Sequence, residues 1–328
     1  MNQPTRIHRR TLLQAAIGLG ASLSLPAVVN AQGDAARGPL KIIVPLPAGG
    51  AADATVRAIV QAYEKQTRQV AIVDNRPGGV FQIAMQGLLA APPDGQTLIH
   101  LNTGMVAAQV VQKRFDLTRQ LAPLTLAGET SFMVVAAPDS PFKTLKEMIE
   151  YGRANPGKLS FATPGPGSGE HLKIAQLEKA AGFTGLAVTY KGGPDMIKAV
   201  VGGEVSFAII PPVLAMQFAP KGQVKVLATL DGARVTPQFP DAPTMAELGI
   251  PMAPTRFWGG FAAHADTPAP IVQRLSQDLG AAVVAPSVVE RMATMGLTMQ
   301  ASKPEEFRKV ILGDVAWMTE AAKGLKFE

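Results

Sequence analysis

The feature that most constrains the fold is a repeated alternation of short apolar runs, glycine-rich turns and helical periodicities that begins at Leu40. The apolar run 41–44 is bounded by prolines, and residues 56–63 then place apolar side chains at helical spacing, which is typical of a buried strand leading into an amphipathic helix. Further short apolar runs at 70–73 and 97–101 continue the pattern. Strands that alternate with helices predict a parallel sheet covered on both faces.

The same alternation restarts after the apolar run 132–135, and further helical stretches close the chain. We therefore predict an α/β fold of two lobes. Lobe 1 is expected to contain residues 39–132 and 255–328, and lobe 2 residues 133–254. The chain is expected to cross between them near 133–136 and 257–262, so that two crossing strands form a hinge beside a cleft that closes on a ligand.

The first 31 residues have the composition of an export signal. A basic start that includes Arg9 and Arg10 precedes an apolar run at 11–25 and a small-residue exit at 29–31, which predicts cleavage after Ala31 and a periplasmic location. A proline directly after the run makes it too short for a membrane anchor. The paired arginines favour the twin-arginine route, although ordinary Sec signals can also carry two arginines.

Composition limits the possible partners. The whole chain carries +6 at neutral pH, but the first 31 residues hold three arginines and no acid, so the remainder carries +3. No remaining stretch joins clustered basic residues to aromatic ones, which argues against nucleic-acid binding, and none is long and apolar enough to span a bilayer. The chain has no cysteine, so its fold is expected to hold without disulfides. We expect a soluble monomer.

Two loops carry the functional prediction, because each leaves the carboxyl end of a predicted strand and enters the amino end of a helix, where open α/β sheets bind ligands. Glycines let the backbone approach a ligand, and the unpaired N–H groups of a helix start favour an anion. Either loop also fits an ordinary tight turn. The candidate ligand-binding residues are Pro47, Ala48, Gly49, Gly50 and Asp53 in the first loop, Thr163, Gly165, Gly167 and Ser168 in the second, and Thr103 after the third strand.

Asp53 has two possible roles. It lies in the first turn of its helix, where the helix dipole stabilises a carboxylate, and Arg57 follows at i+4 to pair with it. This structural role is sufficient by itself. The alternative is that Asp53 faces the cleft and selects a ligand with an ammonium or hydroxyl donor.

Most sequence tests for a catalytic site fail. Pro166 and Glu170 stand where a nucleophile elbow around Ser168 would need glycines, and Glu170 also interrupts a dinucleotide fingerprint. The remaining histidines lack metal-ligand spacing, so no metal and no cofactor are expected. The alternative class is an exported α/β hydrolase or isomerase with an unrecognised site.

Ordered short motifs along the chain resemble the substrate-binding proteins of tripartite tricarboxylate transporters, the Bug family. The matching segments are Pro47-Ala48-Gly49-Gly50-Ala51-Ala52-Asp53, Asn75-Arg76-Pro77-Gly78, Pro93-Asp94-Gly95-Gln96-Thr97-Leu98, Lys143-Thr144-Leu145, Tyr190-Lys191-Gly192, Gly202-Gly203-Glu204-Val205, Pro240-Asp241-Ala242-Pro243-Thr244 and Trp258-Gly259. The resemblance implies a type II periplasmic-binding-protein fold without a cofactor. It also implies that the two strand-to-helix loops hold a ligand carboxylate, partly through ordered water, and that the partners are a small organic acid and the membrane subunits of such a transporter. Relatives without a cognate transporter are expected to serve sensing.

Three departures from the family pattern suggest an altered pocket. Val80 and Phe81 stand where the family usually continues with glycines, and the second loop has lost a tyrosine and a glycine at its strand end. Ile210 precedes Pro211 where the family often has an acidic residue. Together with Met105 these residues suggest a pocket more apolar than one for an amino acid, although they also fit the core.

Overall fold

The computed structural model describes residues 38–166, 168–230, 239–252 and 256–323. The predicted export signal at 1–31 and one candidate site residue, Gly167, lie outside the described residues. In chain order the elements are β1 (Leu40–Val44), α1 (Ala51–Thr67), β2 (Ala71–Asn75), α2 (Gln82–Leu89), β3 (Thr97–Asn102), α3 (Thr103–Gln112), α4 (Leu117–Gln120), β4 (Leu121–Thr130), β5 (Met133–Ala136), α5 (Leu145–Ala154), β6 (Ser160–Thr163), α6 (Gly169–Ala181), β7 (Leu186–Thr189), α7 (Gly193–Val201), β8 (Phe207–Ile210), α8 (Pro212–Phe218), β9 (Lys225–Thr229), β10 (Phe257–His264), α9 (Ala269–Val283), α10 (Pro286–Ala293) and α11 (Pro304–Ala321).

The first sheet has the strand order β2-β1-β3-β10-β4. Successive side chains of β1 point to opposite faces, so Ile42 and Val44 join one apolar core, with α1 and α9, while Ile43 joins another, with α2, α3 and α11. Helices therefore cover both faces, as predicted. The predicted parallel pairing holds for β1, β2 and β3, but the sheet is mixed, because β10 enters between β3 and β4 and runs antiparallel to both.

The second sheet has the order β7-β6-β8-β5-β9 and is also mixed. Strand β6 pairs in parallel with β7 and β8, whereas β5 runs antiparallel to β8 and β9. Val134 and Met133 of β5 face different cores on the two sides of this sheet. The protein thus consists of two α/β lobes, each built on a five-stranded mixed sheet.

The chain passes from one sheet to the other within two residues, because β4 ends at Thr130 and β5 begins at Met133. Beside this crossing the ring of Phe132 stacks on Phe257, the first residue of β10, with ring centroids 3.6 Å apart. Ser131 and Thr229 share a 3.0 Å hydrogen bond between their hydroxyls. No helix within the described ranges is long and apolar enough to cross a bilayer.

Candidate ligand-binding site

The first loop connects β1 to α1 and exposes its backbone. Pro47, Ala48 and Gly49 are exposed, and Gly49 has φ +82°, a left-handed conformation that favours glycine. Gly50 is the N-cap of α1 and has no capping side chain. The start of α1 therefore presents backbone N–H groups that no cap covers, which is the arrangement that binds anions at helix starts.

Asp53 holds this loop in place. Its carboxylate is buried and accepts hydrogen bonds from the backbone N–H of Gly49 at 3.0 Å and from Nε of Arg57 at 3.0 Å. Nδ2 of Asn75 donates to the same carboxylate at 3.0 Å and to the carbonyl of Leu46 at 3.1 Å. Burial acts to raise the pKa of this carboxyl, but hydrogen bonds from its three donors outweigh it and hold the pKa below the ordinary value.

A second helix start lies at the same sheet edge, because β3 is the parallel neighbour of β1. Oδ1 of Asn102 caps α3 by accepting from the backbone N–H of Met105 at 3.3 Å, while its Nδ2 is buried and has no partner among the described residues. Oγ1 of Thr103 accepts from the backbone N–H of Trp258 at 2.8 Å, so this candidate residue ties α3 to β10. Asn102 is not among the sequence candidates, although an asparagine between a strand and a helix is a usual N-cap signal.

The second loop connects β6 to α6. Ser168 caps α6 by accepting from the backbone N–H of His171 at 3.2 Å, and its hydroxyl lies 3.1 Å from that of Thr163. Thr163 is fully buried and also accepts from the backbone N–H of Gly165 at 3.3 Å. Gly165 has φ +126°, which a side chain would strain. The two hydroxyls therefore organise the loop from within.

The starts of α3 and α6 belong to different lobes and contact each other. A Cβ atom built on Gly169 would lie 3.9 Å from the Cα of Gly104 and 3.1 Å from the ring of Phe257. Further along α6, Leu172 joins the core of the first lobe, and Nζ of Lys173 lies 4.5 Å from the ring centroid of Trp317. The structure thus brings the end of β3 and the second loop to one place between the lobes.

A pocket of about 570 Å³ lies beside the second loop, where β6 and β7 end. Its lining is mixed, with a cationic and an anionic side chain: Pro164, Thr189, Tyr190, Lys191 and Asp195. None of these residues is among the sequence candidates, although a tyrosine and a lysine directly after a predicted strand end are a signal that could have indicated this wall.

Two residues suggested for an apolar pocket are core residues instead. Met105 of α3 is fully buried in an apolar core of the first lobe, and Ile210 of β8 is fully buried in an apolar core of the second lobe. His100 is also buried, and burial lowers its pKa to about 4, so it is neutral at physiological pH. Nowhere in the described part of the chain do three His, Cys, Asp or Glu side chains form a group that could hold a metal ion.

Comparison with known sequences gives a consistent family match. A family model described as "Tripartite tricarboxylate transporter family receptor" matches residues 55–323. The chain is 33% identical over 270 residues to the "UPF0065 protein in tcbD-tcbE intergenic region" of Pseudomonas sp. (strain P51), covering 81% of this chain and 80% of that protein. It is 28% identical over 310 residues to "Protein BugT" of Bordetella pertussis, covering 93% and 94% of the two chains.

Solved structures agree with this match. The periplasmic binding protein BugD superposes with a TM-score of 0.80 at 27% identity, covering 88% of this chain and 98% of that one. MatC from Rhodopseudomonas palustris with bound malate superposes with a TM-score of 0.79 at 25% identity, covering 87% and 99%.

Proposed function

Because the chain belongs to the tripartite tricarboxylate transporter receptor family, we propose that it is a periplasmic receptor that binds a small carboxylate between its two lobes. The family is one of solute receptors, which decides against the exported hydrolase or isomerase alternative. The bound malate of MatC supports a carboxylate as the ligand class for this chain as well.

The observation that carries the proposal is the contact between two helix starts from different lobes, at Gly104 and Gly169. Each start has one N–H group capped, at Met105 and at His171, and presents the positive end of a helix dipole. A carboxylate beside the contact would be attracted by both starts. The backbone N–H groups of Ala48 and Gly50 would supply further donors from a third helix start. Pro47 has no N–H and the N–H of Gly49 already donates to Asp53, so these two residues would shape the loop around the ligand. The ligand would therefore connect the lobes.

Side-chain roles follow from the same geometry. We assign Ser168, with Gly165 and Gly167, to the second-lobe side of the ligand, because its hydroxyl can donate to a carboxylate while it accepts from His171. Thr163 is fully buried and would support this loop from behind. Nδ2 of Asn102, which has no partner among the described residues, is assigned to the first-lobe side, where a carboxylate would satisfy it. Asp53 and Thr103 would act indirectly, because their oxygens already hold the first loop and the start of α3.

Export and partners complete the proposal. The segment 1–31 would direct export, by the twin-arginine or the Sec route, with cleavage near Ala31. We expect a monomer that delivers its ligand to the membrane subunits of a tripartite transporter, or that serves sensing where such subunits are lacking. The lobes would meet near residues 133 and 255 and close about the two crossings.

A thermal-shift screen of small carboxylates that includes malate tests the proposal, because a ligand at 100 times its dissociation constant stabilises a protein by about 2.7 kcal/mol. Gly50→Val and Ser168→Ala should weaken binding of any hit, the second by about 0.5–1.5 kcal/mol for one lost hydrogen bond. Ser206→Ala is the matched control, because it removes a serine hydrogen bond to Ser160 outside the proposed site.

Calorimetry on the three variants and small-angle scattering with and without the hit give the readouts. Weaker binding in the two site variants, with normal binding in the control and a smaller radius in the complex, is expected. Unchanged binding in both site variants would show that the loops are only turns, and an unchanged radius at saturation would contradict closure.

A further inference from the structure

The connection between β2 and α2 contains four successive residues in the left-handed region. Gly78, Gly79, Val80 and Phe81 have φ values of +107°, +57°, +47° and +69°. The glycines adopt this conformation without strain, whereas a β-branched valine there is an outlier. Such strain persists only where the surrounding structure enforces it, and it is concentrated at ligand sites.

This backbone conformation places the ring of Phe81 next to the start of α3. A Cβ atom built on Gly104 would lie 3.2 Å from Cζ of Phe81 and 2.9 Å from Oδ1 of Asn102. The ring and the amide therefore flank the same helix start. Since Gly104 also contacts Gly169 of the other lobe, the ring lies beside the meeting point of the two helix starts.

Part of this apolar surface remains accessible. Phe81 is half-buried and packs against the core of the first lobe, and Val80 next to it is 41% exposed. A polar ligand group placed against the ring would lose water without gaining a hydrogen bond, whereas an apolar group would gain from burial.

We propose that Phe81 is a specificity-determining residue whose ring forms an apolar wall beside the carboxylate, so that the ligand is a carboxylate with an aromatic or cyclic aliphatic body. This rests on the proposed function. Hydroxylated dicarboxylates such as malate would bind more weakly than benzoate or cyclohexanecarboxylate, because their second polar end would meet the ring.

The test compares the dissociation constants of benzoate and malate by calorimetry in the parent, in Phe81→Asn and in Phe81→Leu. Asparagine tolerates the left-handed backbone and replaces the ring with an amide, while leucine keeps an apolar side chain if the first variant fails to fold. Phe115→Leu is the control, because Phe115 packs in the same apolar core but follows the far end of α3.

The parent should bind benzoate at least about tenfold more tightly than malate, in keeping with the discrimination that apolar pocket contacts provide. Phe81→Asn should lower this ratio by about tenfold or more, and Phe81→Leu by less, while Phe115→Leu leaves it unchanged. A parent that binds malate as tightly as benzoate, or Phe81 variants that keep the parent's ratio, would overturn the inference and leave the receptor function intact. If the parent binds no carboxylate in the full thermal-shift screen, both the role of Phe81 and the proposed receptor function are overturned.

Discussion

Asp53→Asn separates the role of this carboxylate in the loop from a direct role in ligand recognition. The substitution keeps the shape of the side chain but removes the charge and makes one of the two acceptor atoms a donor. In the parent, Gly49 donates to Oδ2, Asn75 donates to Oδ1, and Arg57 donates to both oxygens. Whichever way the new amide is turned, its NH₂ group faces an N–H donor that the carboxylate accepted from, and this repulsion lies in a buried part of the protein.

The expected cost follows from these contacts. A hydrogen bond to a charged group contributes about 1.5–3 kcal/mol, whereas the charge pairing with Arg57 adds little, because that side chain is 47% exposed and water screens it. We expect Asp53→Asn to lower the free energy of unfolding by about 2–4 kcal/mol without ligand present. Asp74→Asn is the control, because it breaks a more exposed 2.9 Å pair with Arg76 and should cost at most about 1 kcal/mol.

The cost should also depend on pH in a defined direction. The folded-state pKa of Asp53 is below its ordinary value of 3.8, so its stabilisation is present above pH 3.8 and is lost as the pH falls through the folded value. Urea unfolding followed by circular dichroism at pH 7 and near pH 3 measures this, with a constant m-value as the check on two-state behaviour. If Asp53→Asn costs no more than Asp74→Asn at pH 7, or if the difference from the parent does not narrow in acid, the loop-holding role is refuted.

Three further predictions concern residues of the first lobe. Gly260→Ala should destabilise the protein by about 1–3 kcal/mol, because the new methyl group would overlap the ring of Phe307. Gly313→Ala, on the exposed face of α11 with open space around it, should instead stabilise the protein by about 0.5–1 kcal/mol. If urea unfolding gives the same change in stability for Gly260→Ala and Gly313→Ala, the close packing of Gly260 against Phe307 is contradicted. His100→Leu should flatten the pH dependence of stability, because burial lowers the pKa of His100 from 6.5 to about 4, so the parent loses stability as the pH falls through this range. A parent and variant with parallel stability profiles between pH 6.5 and pH 4 would contradict this shift.

The ends of several strands and helices, and the positions of the two loops, could be predicted because the residues that determine them are neighbours in the sequence. The prolines around 41–44 and the helical spacing from Val56 fix a strand-to-helix unit whatever the rest of the chain does. The i+4 pairing of Arg57 with Asp53 is equally local and is present in the structure. The third donor to Asp53 is not, because Asn75 reaches it only through the parallel pairing of β2 with β1, in which Val44 lies opposite Asn75.

The sequence by itself determined the α/β class, the two glycine-rich helix starts and the family, because strand and helix periodicity and short motifs are properties of neighbouring residues. Only the tertiary structure decided the mixed sheets, the contact of Gly104 with Gly169, and the different surroundings of Phe81 and Met105. Strand order depends on which distant segments bury each other's apolar faces, and the direction of a side chain depends on the packing of those segments. Both are settled by contacts between residues far apart in the chain, which spacing within a segment does not specify.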